Sequence, residues 1–220
     1  GVGAAVVGRL RAEGAEGGGL DLTAGFDVAD PEAWERVGRV DAACLNAGVL
    51  GGPADPADLT LEAYRRAVAV NVDGVVLGVR RLARVMQPGG RIVATASLAG
   101  LTAMPDDPLY AATKHAVVGF VRSAAPALAA RGLSLNAVCP GIADTPILLD
   151  AVRRRLEEAS FPLLDAADVA EAVWEVLQSA ATGAAWVVQP GRPALQFRFP
   201  GVPGVRTPSG ESVAPPALGS

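Results

Sequence analysis

Two hydrophobic periods take turns along this chain. Short apolar runs at 40–45, 91–96, 133–139 and 185–189 are each closed by a turn or cap residue. Between them lie longer stretches with apolar residues every three or four positions. The short runs predict buried strands, and the longer stretches predict helices packed on them. The helices fall at 1–13, where Val6, Val7 and Leu10 share a side, and then at 60–86, 108–131, 146–159 and 165–181. A short helix begins at Pro31, with Asp30 as its N-cap. Two weaker strands are expected at 15–21, despite glycines at 17, 18 and 19, and at 25–28.

Alternating strands and helices predict an α/β domain with a doubly wound parallel sheet, a three-layer αβα arrangement over residues 1–191. From 192 to 220 the chain turns rich in Pro, Gly and Ser. This tail is expected to be extended, either disordered or draped over a neighbour. No internal repeats are found.

Composition narrows the function classes. Half of the 220 residues are apolar and only 5% are aromatic, which suits close helix–sheet packing. A net charge of −4 without a basic cluster argues against a nucleic-acid partner. No apolar run reaches membrane-spanning length and no charged-then-apolar leader is present, so a cytoplasmic protein without a membrane partner is expected. Cys44 and Cys139 are expected as free thiols of a reducing compartment. The single histidine, His115, lacks suitably spaced partners for a metal site and is expected to pack or face solvent.

The chemistry concentrates at Tyr110-Ala-Ala-Thr-Lys114, with Ser97 upstream. A phenol holds its proton to about pH 10, which makes it a poor base at neutral pH. A lysine at i+4 shares its helix face, and a nearby ammonium is expected to lower the phenol pKa. Such a pair transfers protons in alcohol and carbonyl chemistry. In an open α/β sheet, ligands bind beyond the carboxyl ends of the strands. Asp21, Asp27, Asn46, Ser97 and Pro140-Gly141 are all expected at those ends.

With Gly1-Val2-Gly3, Asp27-Val28, Asn46-Ala47-Gly48, Asn71-Val72, Ser97, Tyr110-x-x-x-Lys114 and Pro140-Gly141-Ile142-Ala-Asp-Thr145, the chain resembles the Rossmann-type short-chain dehydrogenases/reductases. The resemblance runs from the first residue to about Gln189. It implies Tyr110 as general acid/base, with Lys114 tuning it and holding the nicotinamide ribose. It implies that Ser97 orients the substrate oxygen and that Asn71 holds a proton-relaying water. Gly1, Gly3, Asp27, Val28, Asn46, Ala47, Gly48, Ile142 and Thr145 would contact the dinucleotide, together with Pro140 and Gly141. Asp21, eighteen positions after Gly3, would hold the adenine-ribose hydroxyls and favour NAD over NADP. Leu98, Leu101, Met104, Pro105, Leu109, Ile147 and Leu148 either line an apolar substrate pocket or are ordinary packing.

The chain departs from the family pattern at its front. It opens at the last Gly-x-Gly of the glycine signature, so the first strand is expected to be lacking. If that strand is truly gone, poor stability and weak dinucleotide affinity are expected. The step from Asp21 to Asp27 leaves no room for the helix usual between those strands. The expected function is an NAD-dependent interconversion of a secondary alcohol and a ketone, by a homodimer or homotetramer pairing helices 60–86 and 108–131. A non-catalytic nucleotide-binding or assembly protein, and a lyase or epimerase of the same fold, are the competing readings.

Overall fold

The computed structural model describes residues 1–201 and 203–213. Four parallel strands form its centre: β1 (Ala42–Leu45), β2 (Arg91–Thr95), β3 (Ser134–Pro140) and β4 (Ala185–Val188), in spatial order β1-β2-β3-β4. Their side chains alternate between two faces, as strand geometry requires. Ile92, Ala94, Leu135, Ala137 and Cys139 face one core with Trp34, Val79, Leu82, Val117 and Val121. Val93, Val138 and Val188 face the other, with Val6, Val169, Val173 and Val176. The first core is covered by α2 (Pro31–Glu35), α4 (Gly74–Val85) and α5 (Pro108–Ala129), and the second by α1 (Val2–Ala12) and α7 (Ala166–Gln178). This is the expected three-layer, doubly wound α/β fold. Among the described residues β1 pairs only with β2, and its other edge carries no strand.

The expected helix 60–86 is interrupted. Thr60 caps α3 (Leu61–Val68), accepting from the Ala63 amide at 3.1 Å, and a π-turn at Ala69–Asp73 then leads into α4. The helix expected at 146–159 is shorter, α6 (Asp150–Glu158), because residues 145–148 first form a turn in which the Leu148 amide donates to the Thr145 carbonyl at 2.9 Å.

The two weak strands do not form. Residues 11–25 are exposed throughout, and the glycines at 17–19 offer no side chains to pack. Gly17 takes a φ of 140°, and its carbonyl accepts from Arg11 at 2.7 and 3.1 Å. Asp21 caps a 3-10 turn at Leu22–Ala24, and Gly25 ends it in the left-handed region. Anchoring begins at Phe26, which meets Trp34 edge-on with centroids 5.0 Å apart, and continues at Val28, which packs on the first core. No α-helix lies between Asp21 and Asp27, only the 3-10 turn, as their spacing required.

The tail expected from 192 onward instead begins as part of the sheet. A short strand, β5 (Leu195–Gln196), pairs antiparallel with β4, and Phe197 and Phe199 pack against the first core. Arg122 stacks over the Phe199 ring at 3.6 Å. Farther on, β6 (Val205–Arg206) and β7 (Ser212–Val213) form an exposed hairpin. The rest of the tail lies outside the described residues. Both cysteines are free, with Cys44 on β1 and Cys139 on β3. No described helix is long and apolar enough to cross a membrane.

Candidate active site

The strand tips bring the polar outliers together. Asn46 follows β1, and its Oδ1 accepts from the Thr95 hydroxyl at 3.1 Å across the end of β2. Lys114 on α5 reaches the same place, donating from Nζ to the Thr95 carbonyl at 2.9 Å. Ser97 opens the turn Leu98–Gly100 after β2, its Oγ accepting from the Ala99 amide at 3.1 Å. Gly141 follows β3, and its amide donates to Val188 at 2.9 Å.

Tyr110, Ser97 and Lys114 share this edge. The ammonium of Lys114 lies 5.5 Å from the centroid of the Tyr110 ring. Burial raises the phenol pKa, the Ser97 side chain counteracts by hydrogen bonding, and the charge of Asp107 raises it further. The lowering expected from Lys114 does not emerge, and burial dominates because it disfavours the charged phenolate. Lys114 is itself 3% exposed, and burial brings its pKa down to about 8. Behind it, at the end of β3, burial pushes the Cys139 thiol up to about 12.

Asn71 is fully buried in the π-turn, a distortion that recurs at functional positions. Its Oδ1 accepts from the Val49 amide at 2.8 Å. Its Nδ2 donates to the Val49 carbonyl at 2.9 Å and to Thr113 Oγ1 at 3.0 Å. Thus this side chain binds backbone and clamps the loop after β1. Both Nδ2 hydrogens are thus engaged with protein atoms.

Close approaches at glycines show how the loops at the strand tips pack together. A methyl group at Gly48 would lie 3.4 Å from Lys114 Nζ and 3.5 Å from Asn71 Oδ1. At Gly3 it would lie 3.1 Å from Asn46 Nδ2, and at Gly1 3.7 Å from Pro146. The N-terminus of α1 therefore sits between the loops after β1 and β3. Thr145 is buried in the latter loop, and Ile142 and Ile147 stand exposed on it. Leu98 approaches Gly141, where a methyl group would lie 3.5 Å from its Cδ1. Met104 is half-buried and Pro105 exposed, and Leu148 is half-buried. By contrast, Leu109 is buried and Leu101 packs on the first core, so both belong to packing.

The adenine-side expectations fare differently. Asp21 ends no strand, and its Oδ1 is engaged by the Thr23 amide, the Thr23 hydroxyl and the Ala24 amide at 2.9, 2.6 and 3.1 Å. Those bonds hold its pKa below the usual carboxylate value. Asp27 is likewise exposed in a turn, accepting from Ala29 at 2.9 Å, and Val28 packs on the first core against α4. Ala47 is exposed and Pro140 buried.

Residues that the sequence left unmarked complete the site. Asp107 is 4% exposed and accepts from both the Tyr110 and Gly51 amides. Its position before Pro108, the first residue of α5, was the available signal. Thr95 acts through its carbonyl, which no side-chain pattern reveals. A cleft of about 680 Å³ opens at the opposite edge of the sheet, between Arg122, the 179–184 turn and Phe199. None of the residues above line it.

Comparison with known proteins identifies the family. Residues 24–191 match the family model described as Enoyl-(Acyl carrier protein) reductase. Levodione reductase of Leifsonia aquatica is 34% identical over 143 residues, 60% of this chain and 54% of that protein. Borneol dehydrogenase of Lavandula x intermedia is 37% identical over 159 residues, 69% of this chain and 61% of that protein. The chain spans about half the length of the curated relatives it matches. A short-chain dehydrogenase from Burkholderia cenocepacia, solved with NADP, is 28% identical, with a TM-score of 0.75 over 87% of this chain and 93% of that one. The family match runs through α2 to α7 and β1 to β4, and the chain belongs to the short-chain dehydrogenase/reductase family.

Proposed function

We propose that the protein interconverts a secondary alcohol and a ketone with a nicotinamide dinucleotide, Tyr110 exchanging the proton at the substrate oxygen. The observation that carries this reading is the meeting of Tyr110, Ser97 and Lys114 at the strand tips, beside a glycine backbone that a side chain would crowd. The residues fit the dinucleotide. Gly1 and Gly3 at the start of α1 would face its pyrophosphate with Thr145, and Asn46, Ala47 and Gly48 would pass its adenosine half. Lys114 would hold the nicotinamide ribose, and Pro140, Gly141 and Ile142 would flank the ring. When bound, the nicotinamide supplies or takes the hydride.

The chain manages the proton. A buried phenol with a raised pKa is protonated at neutral pH, which suits donation to a carbonyl oxygen. Ser97 Oγ would donate to the same oxygen and stabilise its developing charge. With a pKa of about 8, Lys114 carries its proton at neutral pH and would stabilise the phenolate left behind. In the reverse direction the phenolate takes the alcohol proton, so oxidation should rise with pH. Leu98, Met104 and Ile147 offer an apolar flank, which supports an apolar small molecule.

The NAD preference expected from Asp21 lacks its geometric support, since that carboxylate caps its own turn. The Burkholderia structure holds NADP and another, 26% identical, holds NADPH, which supports a nicotinamide dinucleotide with or without the 2′-phosphate. Ala112, Ala116 and Gly119 give α5 an exposed small-residue face, which supports pairing with a second copy. Sedimentation as a monomer would remove that pairing.

The test is turnover of a ketone and secondary-alcohol panel with NADH, NADPH and their oxidised forms, followed by nicotinamide absorbance. Tyr110→Phe should bind dinucleotide and lose turnover. Equal rates in both proteins would remove Tyr110 from the reaction.

A further inference from the structure

We propose that Asp107 is a positioning residue for Tyr110, its carboxylate stapling the first turn of α5 to Gly51 so that the loop after β1 and the phenol are held as one body. This rests on the acid/base role proposed above for Tyr110. Asp107 Oδ1 accepts from the Tyr110 amide at 2.9 Å. A helix cap needs no more than that. The second oxygen, Oδ2, accepts from the Gly51 amide at 2.8 Å, 56 positions away in sequence. Both bonds are buried away from competing water, since Asp107 is 4% exposed and Gly51 is buried. The fit leaves no slack: a methyl group at Gly51 would fall 2.4 Å from the Tyr110 nitrogen and 2.5 Å from Asp107 Oδ1.

Asn71 holds the same loop two residues earlier, through Val49, and reaches α5 through Thr113. The loop is thus fastened to α5 at two points, on either side of Leu50. One fastening ends on the tyrosine's own amide. Thr113 in turn donates to the Tyr110 carbonyl at 2.8 Å, so both backbone polar groups of the tyrosine are engaged by this network. A shift of the loop that passes the dinucleotide would move Tyr110 with it.

Charge accompanies geometry. The groups facing the phenol are Lys114 from the same helix, Ser97 from the turn after β2, and Asp107 itself, with Cys139 beyond Ser97 and Lys114. Of these, Asp107 raises the phenol pKa and Ser97 lowers it. Asp107 therefore helps keep the phenol protonated and ready to donate.

The experiment exploits the tyrosine count. Tyr64 and Tyr110 are the only two tyrosines, and Tyr64 is exposed on α3. In a Tyr64→Phe background, tyrosinate absorbance against pH reports Tyr110 alone, without any need for turnover. Asp107→Asn keeps one oxygen for the Tyr110 amide but turns an NH₂ toward the Gly51 amide. Asp107→Ser keeps the cap and does not reach Gly51. Both should lower the Tyr110 midpoint and speed exchange of the Gly51 amide by on the order of tenfold. An unchanged midpoint, or an unchanged Gly51 exchange rate, in a folded variant overturns the proposal. If Asp107→Asn does not fold, Asp107→Ser is read instead, because it retains the helix cap. Absence of turnover in the parent protein would count against the proposed function, while the titration would still decide the role of Asp107.

Discussion

Asn71 binds both backbone polar groups of Val49, accepting from its amide at 2.8 Å and donating to its carbonyl at 2.9 Å. A carboxamide is the one side-chain type of this size that can donate and accept in that pattern at neutral charge. Asn71→Asp replaces the donor with an acceptor facing a carbonyl. It should cost about 2–3 kcal/mol in urea denaturation, because buried groups lose partners. Dinucleotide affinity should fall with it, since the clamp positions the Asn46-Ala47-Gly48 loop. A variant as stable as the parent would show that the clamp is dispensable.

Gly100 meets the backbone of α5. A methyl group there would lie 2.6 Å from the Lys114 carbonyl oxygen and 2.9 Å from its carbon, and neither atom can rotate away. Gly100→Ala should push the Ser97 turn off the helix and lose about 1–3 kcal/mol of stability. Misplacing Ser97 should reduce turnover by on the order of a hundredfold. Gly8→Ala in α1 is the control, because nothing lies within 4 Å of that position. It should stabilise by about 0.5–1 kcal/mol, the usual gain inside a helix. Similar behaviour of the two variants would refute the close-packing account.

Lys114 gives a pH signature in stability. Its pKa falls from 10.5 to about 8 on folding because burial disfavours the ammonium. Between those values the unfolded chain binds the proton and the folded chain does not, so stability rises with pH. The burden is full below about pH 8 and gone above 10.5. Relative to Lys114→Met, the parent should gain about 3 kcal/mol across that window, at about 1.4 kcal/mol per pH unit. Denaturant midpoints of both proteins at several pH values check this. Parallel curves would mean that Lys114 does not titrate differently in the two states.

Phe199 anchors the segment after β5. It packs on the first core, meets Phe197 edge-on at 4.9 Å and lies under Arg122. Phe199→Ala should lower stability by about 1–3 kcal/mol through lost burial and the lost cation–π contact. The melting temperature should fall visibly. No shift would mean that the tail contributes nothing to the fold.

The catalytic half was legible because local signals agreed there. The apolar runs at β2 and β3 could bury both faces only in a sandwiched sheet, and the i,i+4 spacing of Tyr110 and Lys114 put both on one face of a helix. The adenine half was misread because residues 15–21 and 25–28 find no neighbouring strand to pair with, and only Phe26 and Val28 of them reach the first core. Whether such runs become strands depends on a neighbouring strand to pair with, which no local pattern encodes. The tail was misread for the opposite reason. Its Pro and Gly content masked Phe197 and Phe199, which found an apolar surface contributed by distant α5 and β4.

The sequence by itself determined the layered α/β architecture, the family, and which phenol, hydroxyl and ammonium stand at the strand tips. The architecture follows from periodicity and spacing along single elements, and the family from the resemblance carried by the motifs. Tertiary structure alone decided that Tyr110 is made less acidic rather than more, that Asn71 grips a loop, and that Asp107 joins that loop to the tyrosine. Burial and hydrogen-bond partners come from residues far apart in the chain, and they exist only once the sheet and helices have closed on one another.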